Sequence, residues 1–145
     1  MRIGADIPPF TVDAIDPGRM KTIAALMRDP NPIHWDAAAA RERGLGDRPV
    51  NQGPANIAYI LNMLVAFAGC RSAIRRLHLR CLGMAFAGDR VVARGRVSGV
   101  RRDAENRLLD CDVWLERGDG EKVLEGTATV ALPEFQFARM NGASG

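Results

Sequence analysis

The chain has 145 residues, enough to bury one core and too few for two ordinary domains. A hydrophobic share of 47% and a charged share of 26% are those of a folded globular protein and exclude disorder. The net charge of +3 is modest, and three widely spaced cysteines, Cys70, Cys81 and Cys111, argue against a disulfide framework or zinc site and for buried thiols in a reducing compartment.

Ala5 to Ile15 reads as an opening strand or extended segment, with Pro8-Pro9 at a sheet edge or at the strand's start. Asp16-Pro17 is a helix start, an N-cap followed by proline at the first helical position. Met20, Ile23, Ala24 and Met27 then repeat at helical spacing up to Arg28. A proline-rich turn follows, after which Asp36 can cap a short alanine-rich helix, Ala37 to Arg43, ended by Gly44 and Gly46.

Gly53 to about Gly69 is the longest helical candidate, with Pro54 near its start. Its apolar residues lie almost all round, among them Ile57, Ala58, Ile60, Leu61, Leu64, Val65 and Phe67, so a buried helix wrapped by a sheet is expected. The stretch from Ile57 to Cys70 is too short to span a bilayer, and Asn62 interrupts it.

From Arg75 the period changes to two. Leu77, Leu79 and Cys81 alternate with Arg76, His78 and Arg80. After a Gly88-Asp89 turn, Val91, Ala93, Gly95, Val97 and Gly99 form one face of a second strand. Leu109, Cys111, Val113 and Leu115 line a third. Beyond the Gly118-Asp119-Gly120 turn, Leu124, Gly126, Ala128, Val130 and Leu132 line a fourth. A helical first half followed by antiparallel strands is the α+β pattern. One domain over 1–138 and a flexible tail over 139–145 are expected.

The chemistry concentrates in Arg28-Asp29-Pro30-Asn31-Pro32-Ile33-His34-Trp35-Asp36. Asp29 and His34, one of two histidines, stand five residues apart across a turn that Pro30 and Pro32 keep from being one continuous helix. Folded back, a carboxylate and an imidazole can converge on one water, which is equipment for adding water to a double bond or removing it. Asn31 is expected to pin the turn through its own side chain. His78 is expected on a solvated strand face, and Trp35 and Trp114 are expected to be packing residues.

The segment resembles the Asp-x-Asn-Pro-x-His signature of the MaoC-like, hydratase 2 type (R)-specific enoyl-thioester hydratases, matching at Asp29, Asn31, Pro32 and His34. The resemblance implies a hot-dog fold, an antiparallel sheet curled around a long central helix. It implies a hydro-lyase that interconverts a 2-enoyl thioester and its (R)-3-hydroxyacyl thioester. Asp29 and His34 would be catalytic, Asn31 and Pro32 would position the turn, and the Gly53 amide would serve as oxyanion donor. In the family a His-Gly pair opens the central helix; here it reads Gln52-Gly53, and Pro54 removes the next N–H. Gln52, Ile57, Ile60 and Leu61 would line an acyl tunnel.

Nine arginines between Arg71 and Arg102 face one acid, Asp89. The stripe reads either as a solvated face or as a dock for a phosphorylated carrier, with Arg76, Arg80 and Arg94 as candidates for coenzyme A phosphates. It lacks interleaved aromatics and nucleic-acid motifs, so nucleic acid and membrane are not expected partners. No metal or other cofactor is expected, since the common metal, phosphate-loop and dinucleotide motifs are absent. An acyl-CoA or acyl-carrier-protein substrate is expected in a homodimer or higher oligomer, or in a heterodimer with a related chain. The N-terminal Met1 to Asp6 has no apolar signal core, and a cytoplasmic location is expected. The alternatives are a hot-dog acyl thioesterase and a weakly active or non-catalytic subunit of a heteromeric dehydratase.

Overall fold

The computed structural model describes residues 2–134, 137, 138 and 142. Strand β1 (Asp6–Val12) leads to helix α1 (Pro17–Met27), a 3-10 turn (Pro32–His34), a short helix α2 (Ala37–Glu42) and the long helix α3 (Gly53–Ala68). A second 3-10 turn (Arg71–Ala73) precedes β2 (Ile74–Cys81), β3 (Val91–Arg102), β4 (Asn106–Arg117) and β5 (Lys122–Pro133). The five strands form one antiparallel sheet in the order β1-β3-β4-β5-β2. Apart from Gly142, the expected C-terminal tail lies outside the described residues.

The strand pattern explains why the sheet packs on α3. Leu109, Cys111, Val113 and Leu115 of β4 are buried, and Val91, Ala93, Gly95 and Val97 of β3 share their face. Ile60, Met63, Leu64, Phe67 and Ala68 of α3 close the core from within. Each fully buried aliphatic side chain contributes about 1.5–3 kcal/mol, so this helix–sheet contact dominates the stability. Gly95 is a fitted position: an added Cβ would stand 2.9 Å from Ile7 Cδ1 and 3.1 Å from Met63 Cε. At Gly126, a Cβ would meet the His78 carbonyl oxygen at 1.9 Å, so only glycine permits the close approach of β5 to β2.

Several expectations need correction. In β3 the inward set runs only to Val97, because the pairing register shifts between Val97 and Gly99. Beyond that bulge Val100, not Gly99, packs against the core. In α1 only Met20 and Ala24 are buried; Met27, in the last turn, is exposed. Helix α3 is not enclosed on every side, since Ile57, Ala58, Leu61 and Val65 are half-exposed along one stripe. Of the three thiols only Cys111 is buried, between strands of the sheet, whereas Cys70 and Cys81 are exposed. Burial pushes the Cys111 thiol up to about 12, and the adjacent Asp110 and Asp112 add to that, so it is an inert packing group.

Two thirds of the basic stripe is paired with acids from other segments among the described residues. Of its nine arginines six form ion pairs: Arg80 with Glu125, Arg90 with Asp13, Arg94 with Glu116, Arg96 with Asp6, Arg101 with Asp110 and Arg102 with Glu134. Asp89, the acid within the stripe, pairs instead with Arg48 at 2.7 Å. Among the described residues no helix is long and apolar enough to cross a membrane.

Candidate active site

The turn between α1 and α2 is built by three short-range devices. Asp29 N–H donates to the Ala24 carbonyl at 2.9 Å, ending α1. Asp29 Oδ1 then accepts the Asn31 N–H at 3.0 Å, and Asn31 Oδ1 accepts the Ile33 N–H at 3.5 Å. Two consecutive side-chain-to-backbone bonds replace the helical bonds that Pro30 and Pro32 forbid. Pro32 stands at the first position of the 3-10 turn, where a missing N–H costs nothing. The chain folds back, and His34 Nε2 lies 3.3 Å from Asp29 Oδ2.

The two oxygens of Asp29 therefore face different partners, one holding the turn and the other facing the imidazole. The two nitrogens of His34 are likewise divided. Nδ1 lies 2.7 Å from the carbonyl oxygen of Val50, an atom that can only accept, so Nδ1 carries a hydrogen. In a neutral imidazole Nε2 is then a bare acceptor facing a carboxylate oxygen. Two acceptors at this separation require a shared proton or a bridging donor such as water. The side chains retain 12% exposure for His34 and 26% for Asp29, so the pair is accessible.

Two residues that support this geometry carry no local sequence signal. Arg43, at the end of α2, donates from Nη1 to Asn31 Oδ1 at 2.5 Å. Val50 is held by its neighbours: its N–H donates to the Ile33 carbonyl at 2.9 Å, and it bridges to Phe86 in the β2–β3 connection. Asn51 N–H to the Ala85 carbonyl at 2.8 Å and Ala87 N–H to the Pro49 carbonyl at 2.9 Å extend that clamp. A segment more than fifty residues downstream thus helps fix the imidazole.

The family profile described as "MaoC like domain" matches residues 7–112. The chain belongs to the MaoC-like dehydratase family. It is 26% identical over 113 residues to the 3-hydroxyacyl-[acyl-carrier-protein] dehydratase FERN, mitochondrial, of Solanum lycopersicum. That match takes in 76% of this chain and 66% of the relative, a little under two thirds of its length. The (R)-hydratase from A. caviae involved in PHA biosynthesis shares the fold with a TM-score of 0.80 at 22% identity, covering 92% of this chain and 98% of that one. The ChsH1–ChsH2 complex from Mycobacterium tuberculosis gives a TM-score of 0.76 at 20% identity, covering 91% and 98%. Five antiparallel strands around α3 are the hot-dog fold these proteins share.

In this MaoC-like chain Gly53 is the first residue of α3, and Gln52 precedes it without a capping side-chain bond. The N–H of a first helical residue has no partner inside its helix. Gly53 is exposed, has nothing within 4 Å of where a Cβ would stand, and needs no left-handed backbone. Glycine here puts no side chain of its own beside the amide. Gln52 is buried, with Nε2 donating to the Met20 carbonyl at 3.2 Å and Oε1 left without a partner among the described residues. Asn51, also buried, donates to Asn56 Oδ1 at 2.7 Å. Ile60 is fully buried, whereas Ile57 and Leu61 lie on the half-exposed stripe of α3.

Arg76, Arg80 and Arg94 lie on the sheet face turned away from α3, two of them in ion pairs with Glu125 and Glu116. His78 is exposed on that same face, as expected. Trp114 is half-buried there and donates to Glu116 Oε2 at 3.0 Å. Trp35, on the turn itself, is less enclosed than a core residue. It is half-exposed and lines an open groove of about 460 Å³ together with Asp29 and Pro30. Among the described residues no group of three or more His, Cys, Asp or Glu side chains could hold a metal ion.

Proposed function

We propose that this chain catalyses the reversible addition of water across the C2–C3 double bond of a 2-enoyl thioester, giving the (R)-3-hydroxyacyl thioester. The reading is carried by the 3.3 Å contact of Asp29 Oδ2 with His34 Nε2, because Val50 holds the other imidazole nitrogen as the donor. A water accepted between these two groups offers one O–H to each. As its oxygen attacks C3, the pair takes up one proton and returns one to C2, so the net change is addition of H and OH. Negative charge then builds on the thioester oxygen. We assign this charge to the Gly53 N–H, at the positive end of α3. With Pro54 next in line, Gly53 would be the sole backbone donor of the first two helical residues.

The carboxylate–imidazole turn separates this reading from a thioesterase, which has no need of a water held against C3. We further propose that the chain works as a dimer, with itself or a related subunit. β2 is an edge strand whose inward residues Leu77 and Leu79 are only half-buried, and pairing that edge would cover them.

The test follows the absorbance of conjugated crotonyl-CoA and a longer 2-enoyl-CoA with wild type and Asp29→Asn side by side. Loss of the enoyl signal with wild type alone, with a 3-hydroxyacyl product, supports the assignment. Release of free thiol without that product would replace it with hydrolysis.

A further inference from the structure

The groove that includes Asp29 in its lining has a composition the acid–base pair does not explain. Ala24, Ala25, Pro30 and Trp35 make an apolar floor and wall. Lys21 and Arg28 stand at its rim, on the same stripe of α1 as the two alanines, seven residues or about 10 Å of helix apart. Neither cation forms an ion pair or side-chain hydrogen bond among the described residues, unlike six arginines of the outer sheet face. The groove is open to solvent along its length, with a volume of about 460 Å³, so both cations can reach a ligand laid in it.

Arg28 is also the one non-glycine residue with a positive φ among the described residues, at 52°. This left-handed conformation is disfavoured by any Cβ, and glycine is the usual occupant where it ends a helix. The arginine removes conformational ease from the residue next to Asp29 and adds one long cationic side chain. A strained backbone beside a reactive group points to a use for the side chain.

We propose that Arg28, with Lys21, grips a phosphate of the pantetheine carrier that delivers the acyl thioester, the arm lying along the alanine floor against Trp35. The proposal rests on the hydratase reading for the thioester's position at Asp29. It rests on the groove itself for the phosphate. An amphipathic arm with an anionic end complements an apolar channel with a doubly cationic rim. Guanidinium bonds to phosphate are among the stronger charge-assisted contacts. It places the phosphate grip on α1, not on the ion-paired arginines of the sheet.

The test measures binding, so it does not depend on turnover. Coenzyme A, 4′-phosphopantetheine and pantetheine are titrated calorimetrically into wild type, Arg28→Gly, Lys21→Ala and Arg94→Ala. Expected is an affinity about tenfold weaker for the phosphorylated ligands in Arg28→Gly, and a smaller loss in Lys21→Ala, with pantetheine unaffected. The melting temperature of Arg28→Gly should rise, because glycine relieves the left-handed residue. A loss with both phosphorylated ligands assigns the grip to the phosphate common to coenzyme A and a carrier-protein arm; a loss with coenzyme A alone assigns it to the nucleotide end. Unchanged affinity in Arg28→Gly, weakening in Arg94→Ala instead, or no binding of any phosphorylated ligand by wild type would overturn the proposal. Failure of the hydratase reading shows separately, as wild type that binds coenzyme A but leaves crotonyl-CoA and its longer homologue unhydrated.

Discussion

Arg43 Nη1 donates to Asn31 Oδ1 at 2.5 Å, tying the end of α2 to the turn that holds Asp29 and His34. The same Asn31 oxygen accepts the Ile33 N–H, so one atom organises both the turn and its tether. Removing the guanidinium leaves the turn able to form but less firmly placed. Arg43→Ala should lower kcat between about tenfold and a hundredfold, the range for small misplacements of reacting groups, with KM little changed. Arg43→Lys should recover part of the loss. A steady-state analysis of the two variants checks this, and a rise in KM alone would contradict the positioning role.

Asp29→Asn preserves an oxygen that can accept the Asn31 N–H, so the turn should survive while the acid–base function goes. His34→Ala removes the group that Val50 orients. Each should cost about 10²–10⁴ in kcat/KM for enoyl-thioester hydration, with circular dichroism like that of wild type. Activity within a factor of ten of wild type in either variant would remove that residue from the chemistry.

Two glycines should behave oppositely. Gly126→Ala would drive a methyl to 1.9 Å from the His78 carbonyl and 2.9 Å from Leu79 Cα, both backbone atoms that cannot step aside. Overpacking of this kind costs roughly 3 kcal/mol or more, and the variant should denature at clearly lower urea concentration. Gly53→Ala meets nothing within 4 Å and has an ordinary backbone, so its urea midpoint should hold. Its activity should nevertheless fall, because the methyl occupies the space in front of the amide.

The outer face of the sheet makes a pH-dependent contribution. The Arg101 guanidinium, bonded to Asp110 at 2.8 and 3.1 Å, holds that carboxyl below its ordinary value of 3.8; partial burial opposes this, and a 2.8 Å bond from Thr129 Oγ1 reinforces it. A carboxyl with a depressed folded value stabilises the protein while ionised. The contribution is complete above 3.8 and is lost as pH falls through the lower folded value. Both side chains are more than a third exposed, so the pair contributes less than about 1 kcal/mol after solvent screening. Urea unfolding of wild type and Asp110→Ala should show a small gap at neutral pH that closes on acidification below 3.8. A gap that widened on acidification would mean that Asp110 stabilises the fold in its protonated form instead.

Much of this molecule is written in local order. Alternation of apolar and polar residues marks β2 to β5, because a strand places successive side chains on opposite faces. Asp16 before Pro17, and Pro54 behind Gly53, mark the starts of α1 and α3 through groups that no longer-range contact needs to supply. The turn Asp29-Pro30-Asn31-Pro32 is legible for the same reason, since its prolines and side-chain acceptors act within a few residues. With His34 five positions on, it indicates an acid–base pair before any fold is known.

What local order does not carry is which distant segments meet. Val50 becomes the partner of His34 Nδ1 because the β2–β3 connection clamps it, and Arg43 reaches Asn31 only through the packing of α2 on the turn. The arginine stripe looks unbalanced along the chain, yet strand pairing brings Asp6, Asp110, Glu116 and Glu125 beside it. The bulge after Val97 moves Val100 inward because one extra residue exchanges the faces of everything that follows. Arg28 stands next to Asp29 in the chain, but only the folded turn brings Lys21 and Trp35 into one groove with them. Periodicity, capping and turn formation act over a few residues and survive in the sequence; charge compensation, register and the shape of a groove depend on which surfaces the fold brings together.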